Sequence, residues 1–201
     1  MKITQDIRPS GMDSAYVDAP FDEAKKALKK GEYRIISLEE NARLRIQEGK
    51  DSDISRNGNW TREGFVYNPG TNLWYLTKSS PIMDFPVEAT QAHKKGEEYF
   101  ITKEQVQRVL EDSVRVTDRE IPTDRFGEDP LAVYAFGNIA KDYGKFLSDA
   151  DIKKMPIWLP NTQTQEKPFA RQLWFRNLVV RSEFNGDGRG LDCDIRLRGV
   201  R

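Results

Sequence analysis

At 201 residues the chain is long enough for one domain with a sizeable core, and its ten Phe, seven Tyr and four Trp exclude a disordered chain. Its 32 basic and 32 acidic residues cancel, which argues against strong non-specific nucleic-acid binding, because such binding depends on neutralising phosphates. The sequence has no apolar run of about 18 residues, no hydrophobic leader and only one cysteine, so we expect a cytoplasmic protein without a membrane span or internal disulfide.

The first quarter of the chain predicts one helix, and it contains a second segment that fits either a helix or a strand. Residues 22–30 (DEAKKALKK) place acids first and lysines last, as the helix dipole favours. Residues 38–47 fit two patterns. With Ser37 and Glu40 as a capping box they form one helical face, whereas their alternating apolar residues also suit a strand.

Residues 63–78 predict a β-hairpin. Two strand-rich runs flank Asn-Pro-Gly-Thr, in which Pro69 and Gly70 suit the two central positions of a type II turn. Aromatic side chains occupy both faces of the hairpin, so it either lies inside the fold or exposes a stacking surface. The aromatic residues in and just before the hairpin are Trp60, Phe65, Tyr67, Trp74 and Tyr75.

Two amphipathic helices follow, over about 103–116 and about 131–147. The first begins with a capping box, Thr102 and Gln105, ahead of an apolar stripe. Between the two helices, residues 117–130 (TDREIPTDRFGEDP) predict an acidic loop. We expect a single domain over residues 1–201, with this loop as the place where an internal boundary could fall.

The C-terminal segment, residues 171–200, predicts a second hairpin around the glycine-rich turn NGDGRG. If Phe184 pairs with Leu191, the apolar residues of both strands point to one face and the charged residues, mainly arginines, point to the other. Together the hairpins and helices predict an α+β fold with a mainly antiparallel sheet.

Basic residues are segregated along the chain, because every one after Lys167 is an arginine. Arginine suits planar, bidentate contacts to carboxylate or phosphate. We therefore predict a non-enzymatic binding protein without a cofactor, which recognises a protein or a nucleic acid through the outer face of the C-terminal hairpin and exposed aromatics. The predicted binding residues are Arg176, Arg181, Arg196, Arg198, Trp74 and Trp174.

Two alternatives remain at this stage. In the first, Glu183, Asp187 and Asp192 hold a divalent cation, since the hairpin register would place Glu183 opposite Asp192, and the protein is a metal-dependent hydrolase or nuclease. In the second, the chain is a purely structural subunit. Zinc sites made of cysteine and histidine are excluded, because the chain has one residue of each type.

Overall fold

The computed structural model describes residues 2–6, 12–162, 165–179, 181–186 and 190–201. The strands in this part of the chain are β1 Thr4–Asp6, β2 Ser14–Ala19, β3 Arg34–Ile35, β4 Asn59–Asn68, β5 Leu73–Thr77, β6 Tyr99–Phe100, β7 Ser113–Val116, β8 Arg119–Pro122, β9 Lys154–Trp158, β10 Phe169–Phe175, β11 Phe184–Asn185 and β12 Ile195–Val200. The helices are α1 Phe21–Lys30, α2 Leu38–Glu48, α3 Asp53–Arg56, α4 Pro86–Lys94, α5 Lys103–Glu111, α6 Pro130–Phe136 and α7 Ala140–Asp149.

All the strands belong to one mixed sheet, with the main order β1-β2-β12-β4-β10-β11-β9-β8. Strand β3 adds to β12, β6 adds to β10, and β5 joins β4 to β7. Most pairs are antiparallel, but β11 runs parallel to β9 and β12 runs parallel to β4. The α+β class and the mainly antiparallel pairing predicted from the sequence are therefore confirmed.

The central strands have apolar side chains on both faces. In β4, Phe65 and Tyr67 belong to one hydrophobic cluster together with residues of α2, α6 and α7. Trp60 and Val66 belong to a second cluster with residues of α1, α4 and α5. Because side chains alternate along a strand, both faces of β4 are covered, and the aromatic hairpin lies inside the fold.

Residues 38–47, whose sequence fits both a helix and a strand, form a helix. Ser37 caps α2, since its hydroxyl accepts the backbone N–H of Glu40 and its own backbone N–H donates to the Glu40 carboxylate at 3.0 Å. The hairpin at 63–78 is also present, with β4 and β5 paired from Gly64–Thr77 to Asn68–Leu73. Its turn is not of type II, because the left-handed residue is Asn72 rather than Gly70.

Two predicted helices differ from the prediction in their bounds. The helix predicted over 103–116 stops at Glu111, and residues 113–116 form strand β7 alongside β5. The helix predicted over 131–147 is divided at Gly137, whose φ of 60° and ψ of −140° end α6. The loop predicted over 117–130 contains strand β8, which pairs with β9.

The C-terminal hairpin predicted over 171–200 does not form, so that prediction is wrong. β10 pairs with β4 and with the short returning strand β11, whereas β12 pairs with β2. Phe184 therefore lies opposite Phe175 rather than Leu191. Side-chain alternation shows which residues share a face but not which strand lies next to them, and the long strands β2 and β4 offer more pairing than the segment's own other half.

No helix in the described part of the chain is both long enough and apolar enough to cross a membrane.

Glu63 is a buried carboxyl at the contact between β4 and α2. It is 1% exposed, and its Oε2 accepts the backbone N–H of Leu38, the first residue of α2, at 3.0 Å. Burial raises the pKa of Glu63 to about 7, although the Leu38 N–H and the charge of Arg62 both favour the ionised form.

We predict that Glu63→Gln removes a pH dependence of stability. The folded protein binds the Glu63 proton more tightly than the unfolded chain, so this group's contribution to stability is lost as pH rises from 4.5 to about 7. The free energy of unfolding of the wild type should fall by about 3 kcal/mol relative to Glu63→Gln across that window. Urea titrations of both proteins at several pH values measure this, and a difference that is constant with pH contradicts it.

We also predict that Gly137→Ala lowers the free energy of unfolding by about 1–3 kcal/mol, because its positive φ strains any side chain. A Cβ at this position would also lie 2.9 Å from Oε2 of Glu39. Gly70→Ala is the matched control, since Gly70 lies outside the left-handed region and its nearest neighbour would be 3.3 Å from the added Cβ. Equal stability losses in the two variants would show that the Gly137 backbone is not strained by a side chain.

Candidate functional site

The structure separates the predicted binding residues into three places. Arg196 and Arg198 lie on the central strand β12, and Trp74 and Trp174 lie in the two hydrophobic clusters. Arg176 and Arg181 lie together in the segment that connects β10 to β11.

The guanidinium groups on β12 form hydrogen bonds and ion pairs with other residues of the protein. Arg198 is fully buried and donates to Ser14 Oγ at 2.9 Å and to Asp53. Arg196 donates to both oxygens of Asp18 at 3.0 and 3.1 Å, and its Nη1 lies 2.9 Å from Asp53 Oδ1. The ring of Tyr16 lies 3.6 Å from the Arg196 guanidinium carbon.

The prediction that β12 presents an exposed arginine face is therefore wrong. Arg198 is fully buried and the Arg196 side chain is mostly buried, so both charges need partners within the protein.

Trp74 and Trp174 are 7% and 9% exposed, so the expectation that they are exposed is also wrong. Trp74 packs edge-on against Phe169 with ring centroids 5.1 Å apart, and Trp174 packs in the same way against Trp60 at 5.3 Å. They are buried because β4, β5 and β10 are covered on both faces, and this cover comes from helices distant in the sequence.

Glu183 is the centre of the arrangement that holds the two remaining arginines. Its carboxylate is fully buried and accepts four hydrogen bonds, two of them from guanidinium groups. The donors and distances are Arg176 Nη1 at 2.9 Å, Arg181 Nε at 2.7 Å, Asn185 Nδ2 at 3.1 Å and Trp158 Nε1 at 3.2 Å. We call these five residues the Glu183 cluster.

Strand pairing brings the cluster together. Asn185 on β11 lies beside Trp158, the last residue of β9, in parallel register. The connection from β10 is fixed by Arg45, a buried side chain of α2 that donates to the backbone oxygen of Arg176 at 2.9 Å. The backbone N–H of Leu178 donates to the Ser55 oxygen at 2.8 Å, which ties the same connection to α3.

The electrostatics of the cluster favour an ionised carboxylate. Burial alone would raise the pKa of Glu183, but the hydrogen bonds from Arg176 and Asn185 and the charges of Arg176 and Arg181 outweigh it, so the pKa is lowered. The two guanidinium groups and one carboxylate leave the cluster with one net positive charge.

Above the buried carboxylate, the cluster presents a partly exposed surface. Trp158 is 44% exposed, and the guanidinium carbon of Arg181 lies 5.3 Å from its ring centroid. The Arg176 and Arg181 side chains are partly exposed beside it. The sequence analysis did not select Trp158. In β9, Met155, Pro156 and Ile157 are buried, whereas Trp158, the last residue of the strand, is exposed.

The divalent-cation alternative loses its geometric basis. Glu183 does not lie opposite Asp192, since the hairpin that would pair them does not form. A carboxylate already held by two guanidinium groups is also a poor ligand for a cation, which those groups would repel. Asp187 lies outside the described residues, and within them no three His, Cys, Asp or Glu side chains come together as a metal site.

The sequence matches no protein-family model and no curated protein. In three dimensions the chain is similar to a solved structure, with a TM-score of 0.71 and 16% sequence identity. That structure is described under the words "accommodation of massive sequence variation in Nanoarchaeota by the C-type lectin fold". The similarity covers 98% of this chain and 100% of that one. This likeness concerns the fold alone: the chain has a C-type lectin fold.

Proposed function

We propose that this protein binds a protein partner through the Glu183 cluster, with Trp158 and Arg181 as the main contact residues. The observation that carries the proposal is the cation–π contact between the Arg181 guanidinium and the half-exposed Trp158 ring, beside the buried carboxylate that holds both groups. Tryptophan and arginine are enriched among the residues that dominate protein–protein binding energies.

The rigidity of the cluster supports this role. Arg181 and Trp158 are both hydrogen-bonded to Glu183, so neither side chain has its full rotamer freedom before binding. Side chains that are ordered in advance lose less entropy on association, and a given contact area then contributes more affinity.

The charge of the cluster favours a protein over a nucleic acid. Arg196 and Arg198 already have internal partners, so only Arg176 and Arg181 of the predicted arginines face outward, and both share one carboxylate. Two partly neutralised guanidinium groups are few for binding a phosphate backbone. They suit a carboxylate that lies next to an apolar or aromatic side chain on a partner protein.

The structural neighbour adds a fold-level argument. That protein is reported for accommodating massive sequence variation within the C-type lectin fold. A fold that accommodates sequence variation can carry different surface residues on one framework, and this is compatible with a binding role for the present chain.

A peptide-display selection tests the proposal. Random peptides selected on the wild-type protein should lose about tenfold or more in affinity for Trp158→Ala and for Arg181→Gln, because truncation of a central aromatic or arginine typically costs over 1 kcal/mol. Val133→Ala is the control, since Val133 is similarly exposed but lies on α6. Selected peptides that bind all four proteins equally would contradict the proposal, and salt-dependent binding of labelled oligonucleotides would favour nucleic acid instead.

We predict that Glu183→Gln lowers the free energy of unfolding by about 1–3 kcal/mol at neutral pH, because two guanidinium groups lose a charged acceptor. The pKa of Glu183 is lowered in the folded protein, so its stabilising contribution is present above 4.5 and is lost as pH falls through the lowered value. Urea titrations at neutral and acidic pH measure this. A stability difference that persists unchanged in acid would show that the lost charge is not the cause.

A further inference from the structure

A second concave site lies away from the Glu183 cluster, on the side of the molecule covered by α5. It is a pocket of about 720 Å³, which is in the size range of small-molecule sites. One wall is a face of α5, the other is the turn before α4, and β6 and the end of β5 complete the lining. We call it the α5 pocket.

Three aromatic side chains line the α5 pocket: Phe85, Tyr99 and Phe100. Phe85 is 42% exposed and Phe100 is 46% exposed, although both are large apolar groups. Exposed phenylalanines that share one concavity leave apolar surface in water, and a ligand with an apolar ring would cover it.

Charged groups line the same pocket at the end of α5. Arg108 lies on α5 and Asp112 is the residue directly after it, and both line the pocket, yet neither forms an ion pair with any described residue. Both are therefore available to a ligand.

Two other charged residues of the pocket already interact with groups of the protein itself. Lys78 donates to the backbone oxygen of Tyr134 and, at 3.4 Å, to that of Ala135. Burial lowers the pKa of Lys25, and the nearby charge of Asp84 partly offsets that effect, so Asp84 already has a cation close to it. Arg108 and Asp112 therefore remain as the charge partners for a ligand.

We propose that the α5 pocket binds a small zwitterion with an aromatic ring, of the chemical class of an aromatic α-amino acid. Its ring packs against Phe85, Tyr99 and Phe100. Its carboxylate pairs with Arg108, and its ammonium pairs with Asp112. One ligand of this kind satisfies the exposed aromatics and both unpaired charges, whereas an uncharged aromatic compound satisfies only the rings.

Isothermal titration calorimetry with L-tryptophan as the probe tests the ligand class. We expect a dissociation constant of about 1 mM or tighter. Tryptamine lacks the carboxylate, indole-3-propionate lacks the ammonium and L-alanine lacks the ring, so each should bind about tenfold more weakly. No heat of binding at about 10 mM L-tryptophan, or equal binding of tryptophan and both single-charge analogues, overturns the proposal.

Variants locate the site. Phe100→Ala, Arg108→Gln and Asp112→Asn should each weaken L-tryptophan binding by about threefold to tenfold, since the charged groups are exposed and partly screened. These side chains lie at the surface, and circular dichroism melts check that each variant folds. Val133→Ala and Trp158→Ala should bind L-tryptophan like the wild type. Binding that survives all three pocket variants, or is lost in Trp158→Ala, places the ligand elsewhere and overturns the assignment.

Discussion

The position of strand β12 between β2 and β4 determines much of the rest of this structure. It pairs along its whole length with β2 and touches β4 in parallel register. On this strand Arg198 is fully buried, and its charge is neutralised by Asp53 while Ser14 accepts a further hydrogen bond. Because β12 is paired elsewhere, the segment after β10 returns as β11 onto β10 and β9. That return carries Glu183 beneath Arg181 and Trp158.

Two glutamates that are both almost completely inaccessible to solvent differ in the charges around their carboxyls. Burial raises the pKa of Glu63 to about 7, because its hydrogen-bond donors, among them the Leu38 N–H, are neutral and the Arg62 guanidinium lies 3.8 Å away. Glu183 has four donors, two of them cationic, and its pKa falls. Only the second is suited to anchor charged side chains at a surface at neutral pH.

The features that were predictable from the sequence are those fixed by neighbouring residues. The capping box at Thr102 and the hairpin at 63–78 each depend on a few residues close in the chain, and both are present. The capping box at Ser37 is present too, although the alternating apolar residues after it left that segment open. The pairing of β12 depends on β2, at the opposite end of the chain, and no local pattern encodes that choice.

The same distinction applies to the candidate site. Arginine segregation selected Arg176 and Arg181 as part of a hairpin face, whereas the structure places them around Glu183, and whether a side chain is exposed depends on what packs over it. Trp174 is covered by Trp60, while Trp158 ends its strand at the surface. Composition and spacing could not separate the two tryptophans, because the residues that cover Trp174 are distant from it in sequence.

In our proposal the partner binds at Trp158. The indole N–H of Trp158 donates to Glu183, so its resonance reports directly on binding there. The most direct measurement is a nitrogen–proton NMR titration that follows the four tryptophan indole resonances as a selected peptide is added. The account predicts that the Trp158 indole and the Arg181 Nε–H shift and saturate together, while the indoles of Trp60 and Trp74 stay in place. A bound peptide that leaves the Trp158 indole unchanged would contradict it.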